Sequence, residues 1–314
     1  MSHGPTNIPS KGFCIYCKRA GLRLTDEHIF PFFMGGAHVI KNASCDDCAR
    51  ITSRFELDVA RELWGDARAS FNAPSRRKKK RKKYMPQLDQ YNPGQTILIP
   101  MEEYPAPMVF YQMQKAGILQ GLPDNVDLSP QWLVTTIFDK DKADKFSAKY
   151  GQPPTAKFRH VPDSFARLLA KIAYGQILCS LDPEDFRPLC LPYILGKKTN
   201  PSYIVGGSCI YPEPQPGIGY TLKSHCIRSL GRLLIISEIQ FLPNCQTPAY
   251  HVVVGDVEGA AEADRVFEKI EATYSVDVLD VEKYEMRAEA SFHWMPFQWP
   301  LPAWKNNNKS TALM

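Results

Sequence analysis

The chain has 314 residues, 44% hydrophobic and 23% charged, enough for a packed core in about two domains of ~100–200 residues each. It holds no apolar run of the ~18–20 residues a membrane span needs, and its first residues, MSHGPTNIPSKGF, lack the apolar stretch of a secretory signal, so a cytoplasmic protein is expected. The formal net charge of +5 is local: the eight consecutive basic residues Arg76, Arg77, Lys78, Lys79, Lys80, Arg81, Lys82 and Lys83 leave 5 − 8 = −3 for the rest.

In chain order, residues 14 to 70 are dense in Cys, His, Gly and charge. Leu24–Phe33 reads as a hairpin strand, and Gly35-Gly36 breaks the chain after it. From about Asp46 the pattern turns helical, with Ile51, Phe55, Val59 and Leu63 at turn spacing and Gly65 as the expected end. Residues 72–95 read as a basic linker, because adjacent like charges repel and Pro74, Pro86 and Pro93 interrupt regular structure. Residues 96–314 read as a mixed α/β domain. Its helices are expected at Ser164–Leu181 and Glu258–Thr273, and its strands at Ile204-Val205, Leu233–Leu242 and Tyr250–Val254. The tail Lys305–Met314 is polar and expected to fray.

Of nine cysteines, Cys14, Cys17, Cys45 and Cys48 form two C-x-x-C pairs separated by 27 residues. Two such knuckles supply four thiolates to one tetrahedral ion, the pattern of a structural Zn²⁺. Cys179, Cys190, Cys209, Cys226 and Cys245 are isolated and expected to act as small buried hydrophobes.

Between the knuckles lie L-T-D-E-H-I-F-P-F-F-M-G-G and V-I-K-N-A-S-C-D-D-C. The set Cys14/Cys17, Glu27-His28-x-x-Pro31, Gly35-Gly36, Asn42 and Cys45/Cys48 resembles the HNH endonuclease family over roughly 55 residues. The resemblance implies a fold class of α+β, with a zinc-stapled ββα-metal module in residues 1–71 ahead of the mixed α/β part. It also implies phosphodiester hydrolysis. His28 is then the general base, suited by an unperturbed pKa of ~6.5. Glu27 becomes a ligand of a catalytic Mg²⁺ or Mn²⁺, and Asn42 ties the loop and orients the histidine.

Adjacent strand residues face opposite sides, so Asp26 rivals Glu27 as ligand. In the family, the residue after the second knuckle is a His or Asn that also binds the ion. Here it is Ala49. Thr52, Ser53 and Glu56 share its helix face, making Glu56, or a water, the candidate to fill that place.

The basic run Arg76–Lys83 suits a phosphate backbone, giving affinity without sequence specificity, and Arg61 and Arg68 are possible extensions. His38 is weighed between a phosphate contact and a plain surface residue. His160, His225, His251 and His293 show no metal spacing, and His251 on an apolar strand is expected in the core.

The expected function is hydrolysis of DNA, with RNA as a second substrate, by a monomer that nicks or a homodimer that cuts both strands. A restriction or phage-defence effector is one setting for it. Two alternatives stay open: a zinc module that binds nucleic acid without cutting, and an effector gated by an activating ligand or protein.

Overall fold

The computed structural model describes residues 7–70, 82–155, 158–207, 219–229, 232–245, 247–273 and 278–280. Arg76–Arg81, Cys209, His293 and the tail Lys305–Met314 lie outside the described residues. Helices and strands are both present and come in runs along the chain, as the α+β expectation requires.

The N-terminal part is a small sheet with a helix against it. β1 (Asn7–Ile8) pairs parallel to β3 (Val39–Cys45), which pairs antiparallel to β2 (Leu24–His28). The expected strand to Phe33 stops at His28. Pro31 then opens a 3₁₀ turn, Phe32–Met34, closed by Gly35 at φ 89°. α1 (Asp46–Asp58) starts directly from β3, with Cys45 as its N-cap residue and Asp46 and Asp47 in the first turn, where carboxylates favour the helix dipole. It runs on as a wider turn, Val59–Leu63. Gly65 does not end the helical segment but begins α2 (Gly65–Ser70).

Next come two hairpins, β4 (Tyr84–Leu88) with β5 (Thr96–Pro100), and β6 (Met108–Gln112) with β7 (Leu133–Ile137). The first places part of the expected linker in regular structure. α3 (Lys140–Tyr150) follows, then α4 (Pro162–Ile177), which opens on a proline in its first turn. β8 (Arg187–Pro188), α5 (Leu191–Ile194), β9 (Val205–Gly207), β10 (Tyr220–Ser229), β11 (Arg232–Phe241), β12 (Ala249–Glu258), α6 (Ala260–Thr273) and β13 (Val278–Asp280) complete the described chain. The large sheet has the order β13-β10-β11-β12-β8, with β9 also on β12. β12 is the continuous buried strand anticipated around His251, with nine of ten residues buried.

α4 is the wall between the two parts, with 12 of its 16 residues buried. Its Gly175 lets the helix backbone pass Ile29, whose atoms would lie 3.4 Å from a Cβ there. The Tyr174 hydroxyl donates to the Ile15 carbonyl at 2.9 Å. Phe30 stacks on Tyr220 at 3.8 Å, and Trp64 meets Phe165 and Phe241 edge-on. One hydrophobic cluster therefore runs from Cys14 through Trp64 to Ile270. Among the described residues no helix is long and apolar enough to cross a membrane.

Candidate active site

The four knuckle sulfurs lie within 4.8 Å of one another. Four thiolates at about 2.3 Å from one zinc ion stand about 3.8 Å apart, and Cys17 Sγ and Cys45 Sγ are 3.8 Å apart. The donor set and spacing fit a structural zinc. The local fold supports the thiolates. The Cys45 amide donates to Cys14 Sγ at 3.4 Å, and Arg19 donates to Cys17 Sγ at 3.3 Å and to Cys45 Sγ at 3.7 Å. Burial works against the Cys17 thiolate, but the Arg19 contacts outweigh it and bring its pKa down to about 6.

Opposite this staple, the β2–β3 ladder is irregular. Thr25 pairs with Ser44 but Glu27 pairs with Ile40, so β3 bulges through Lys41–Ala43 across from Asp26. Asn42 sits in that bulge at φ 46°, a left-handed conformation that asparagine tolerates better than most residues. Its backbone N–H donates to Asp26 Oδ1 at 3.0 Å, and Lys41 pairs with the other carboxylate oxygen. The Asn42 side chain is exposed. Its described role is that of a backbone turn. Asp26 is likewise committed to the bulge, and Lys41 holds its carboxyl below the usual range.

The strand ends at His28, which is half-buried with its ring 5.7 Å from that of Phe32. Glu27, the preceding residue, is only 9% exposed. Bulge and strand end together let both line one open pocket of about 670 Å³, with Asp26, Ala49, Thr52, Ser53, Glu56, Arg68 and Lys171. The Thr52 and Ser53 hydroxyls both turn back on the Ala49 carbonyl, at 3.2 and 2.5 Å.

Glu27 and Glu56 do converge, but on an ammonium. Lys171 Nζ, from α4, lies 2.8 Å from Glu27 Oε1 and 2.8 Å from Glu56 Oε1, and it also donates to the His28 carbonyl. Burial alone would push the lysine's pKa down; the two carboxylates outweigh it and hold the ammonium above its ordinary range. Burial raises the Glu27 carboxyl, and Glu56 adds to the shift against the pull of Lys171, as expected where two acids share one cation. Removing Lys171 alone would leave uncompensated buried charge, a loss on the order of 3–5 kcal/mol. A divalent ion bridging these oxygens would need the space the ammonium fills, so the pair as arranged does not fit the Mg²⁺ or Mn²⁺ expected there.

Sequence reasoning missed Lys171. Its signal was the one charge within Leu168–Tyr174, an otherwise apolar stretch where a charge must be paired. His38, expected as a phosphate contact or a plain surface residue, is 6% exposed, and its carbonyl accepts from the Ile29 amide at 3.0 Å. Of the basic run, Lys82 and Lys83 are described. Lys82 pairs with Asp66 at 3.1 Å and Lys83 is exposed. Arg61 is exposed, and Arg68 lies over the Phe33 ring at the pocket wall. Among the isolated cysteines, Cys190, Cys226 and Cys245 are buried and Cys179 half-buried.

Residues 14–62 match the model of a family described as HNH endonuclease, a stretch holding all four knuckle cysteines, Glu27, His28, Asn42 and Glu56. No curated protein and no solved structure matches the chain.

Proposed function

From the premise that residues 14–62 are an HNH-type nuclease module, we propose that the chain hydrolyses phosphodiester bonds of DNA at the pocket beside His28. The observation that carries this reading is the placement of His28. His28 borders an open pocket, and its backbone carbonyl accepts from Lys171. A half-exposed imidazole so held takes a proton from the attacking water as that water approaches phosphorus. Arg68, a permanent cation on the same wall, favours a phosphate in front of the ring. The basic run Arg76–Lys83 follows α2 closely in the chain and would add backbone affinity without selecting a sequence. Mg²⁺ or Mn²⁺ would supply charge at the leaving oxygen in a related site. Glu27 and Glu56, with Lys171 against their Oε1 atoms, do not hold one as arranged.

The test is nicking of supercoiled plasmid by zinc-loaded protein with Mg²⁺, with Mn²⁺ and without added ion. Wild type is expected to nick, and His28→Ala to lose about 10²–10⁴-fold in rate. Equal nicking by the two proteins would remove His28 from the chemistry.

A second reading, binding without cutting, is favoured by Ala49 at the start of α1 and by the occupation of both carboxylates. It predicts a salt-sensitive gel shift with no nicking by either protein.

A further inference from the structure

Three oxygens surround the Lys171 ammonium: Glu27 Oε1 and Glu56 Oε1, each at 2.8 Å, and the His28 carbonyl. The side chain is 1% exposed, so it does not exchange with solvent as a surface lysine does. Nor can its helix withdraw easily. On one face of α4, Ser164 Oγ donates to Asp58 at 3.0 Å, the Arg167 guanidinium lies 5.0 Å from the Phe55 ring, Tyr174 holds the Ile15 carbonyl, and Gly175 rides on Ile29. These contacts span the helix on both sides of Lys171 and all fall on the zinc-stapled part.

At the start of α1 stands Ala49, with no ligand atom, and its carbonyl takes both neighbouring hydroxyls. Asp26, the remaining acid of the strand, is spent on Lys41 and the Asn42 amide. Glu27 and Glu56 are thus brought together with a cation already between them.

We infer that Lys171 is the resident cation of this site: its ammonium permanently takes the place of a divalent metal between Glu27 and Glu56, and through the His28 carbonyl it positions the end of β2. The ion that closes the pocket is then supplied by the second part of the chain, in covalent form, and the site is complete only when α4 is docked. The inference rests on the packing and stands whether or not the pocket cuts nucleic acid.

Mn²⁺ is the probe, titrated into full-length, zinc-loaded protein and read by the loss of the free Mn²⁺ electron paramagnetic signal. Wild type and Glu56→Gln are expected to take up the same amount of Mn²⁺, because Glu56 is not available to it. Lys171→Met is expected to gain about one bound Mn²⁺ per chain, and Lys171→Met/Glu27→Gln to lose it again. Lys171→Arg, which keeps a cation there, is expected to behave as wild type. A lysine that merely packed would create no metal site on removal. Uptake of one Mn²⁺ by wild type that Glu56→Gln abolishes would overturn the inference, as would a folded Lys171→Met that gains none. If Lys171→Met does not fold, the wild-type and Glu56→Gln titrations still decide. None of these measurements reads cleavage, so failure of the nuclease reading would be seen separately, as absence of nicking.

Discussion

Gly36 lies where the chain beyond His28 doubles back. A Cβ at this position would sit 1.9 Å from the Phe30 carbonyl oxygen and 2.5 Å from its carbon, both backbone atoms that no rotamer change can move. Gly36→Ala must therefore open the turn that carries Phe32 to His28, at a cost on the order of 1–3 kcal/mol. Urea denaturation should show the lowered midpoint, and an unchanged midpoint would mean that the close approach does not exist. His251 makes a different single-residue prediction. It is fully buried, accepts the Ala116 amide at Nε2, and has a pKa lowered by burial to about 3, with Lys115 and His225 adding to the shift. The unfolded chain takes up a proton near pH 6.5 that the folded chain refuses until about pH 3. His251 thus contributes stability in full above pH ~6.5 and loses it as pH falls through that window, by at most about 1.4 kcal/mol per pH unit. Glu27 and Glu238 are raised by burial and act with the opposite sign, so the test is a difference. Relative to His251→Gln, wild type should lose stability from pH 7 to pH 4. Parallel curves would show that His251 is protonated in the fold.

At the scale of elements, the zinc staple joins structures that would otherwise be separate. Cys45 is at once the last residue of β3 and the N-cap of α1, and Cys48 lies in the first turn of that helix. Cys14 and Cys17 belong to the loop before β2, and the Ile15 amide of that loop donates to the Ala43 carbonyl at 2.9 Å. Loss of the ion should loosen loop, sheet and helix together, since structural zinc supplies on the order of 10–16 kcal/mol to small modules. One zinc per chain is expected by atomic emission, and Cys45→Ala should lose the metal and lower the thermal midpoint. Full stability without metal would make the four cysteines ordinary core. The staple was legible in the sequence because knuckle spacing is local, and so were the helix through Phe55 and the buried strand at His251. The bulge was not. A pairing shift between Thr25 and Glu27 depends on which residues of β3 lie opposite, and the left-handed backbone position of Asn42 follows from that shift. α3 was missed although its caps are present: Asp139 accepts from the Lys142 amide at 3.0 Å, and Gly151 ends the helix at φ 70°. Its charged composition gives a weak apolar stripe, and periodicity alone passed over it.

At the scale of the whole molecule, the site residues come from positions as far apart as Glu27 and Lys171, and no local pattern announces such a pair. What the sequence did show was an apolar helix, and the structure makes that helix the shared wall of both parts. This fixes what a truncation should do. A fragment of residues 1–90 keeps all four zinc ligands but loses α4 and the large sheet. Ile15, Ile29, Phe30 and Trp64, each no more than 1% exposed in the full chain, would then face water in part. Full burial of each such side chain contributes roughly 1.5–3 kcal/mol, so together they approach the ~5–15 kcal/mol that typically stabilises a whole domain. Glu27 would also lie beside Glu56 with no ammonium between them. The zinc knuckles depend on contacts within residues 14–48 and can form regardless, so the fragment should bind one zinc per chain while the His28 strand end loses its fixed position. Heteronuclear NMR of the zinc-loaded fragment should show dispersed signals near the cysteines and collapsed, broadened ones around Ile29, Phe30 and Trp64. A fully dispersed spectrum, with the His28 ring resonances where the full chain has them, would mean that the first part folds alone and that α4 only rests upon it.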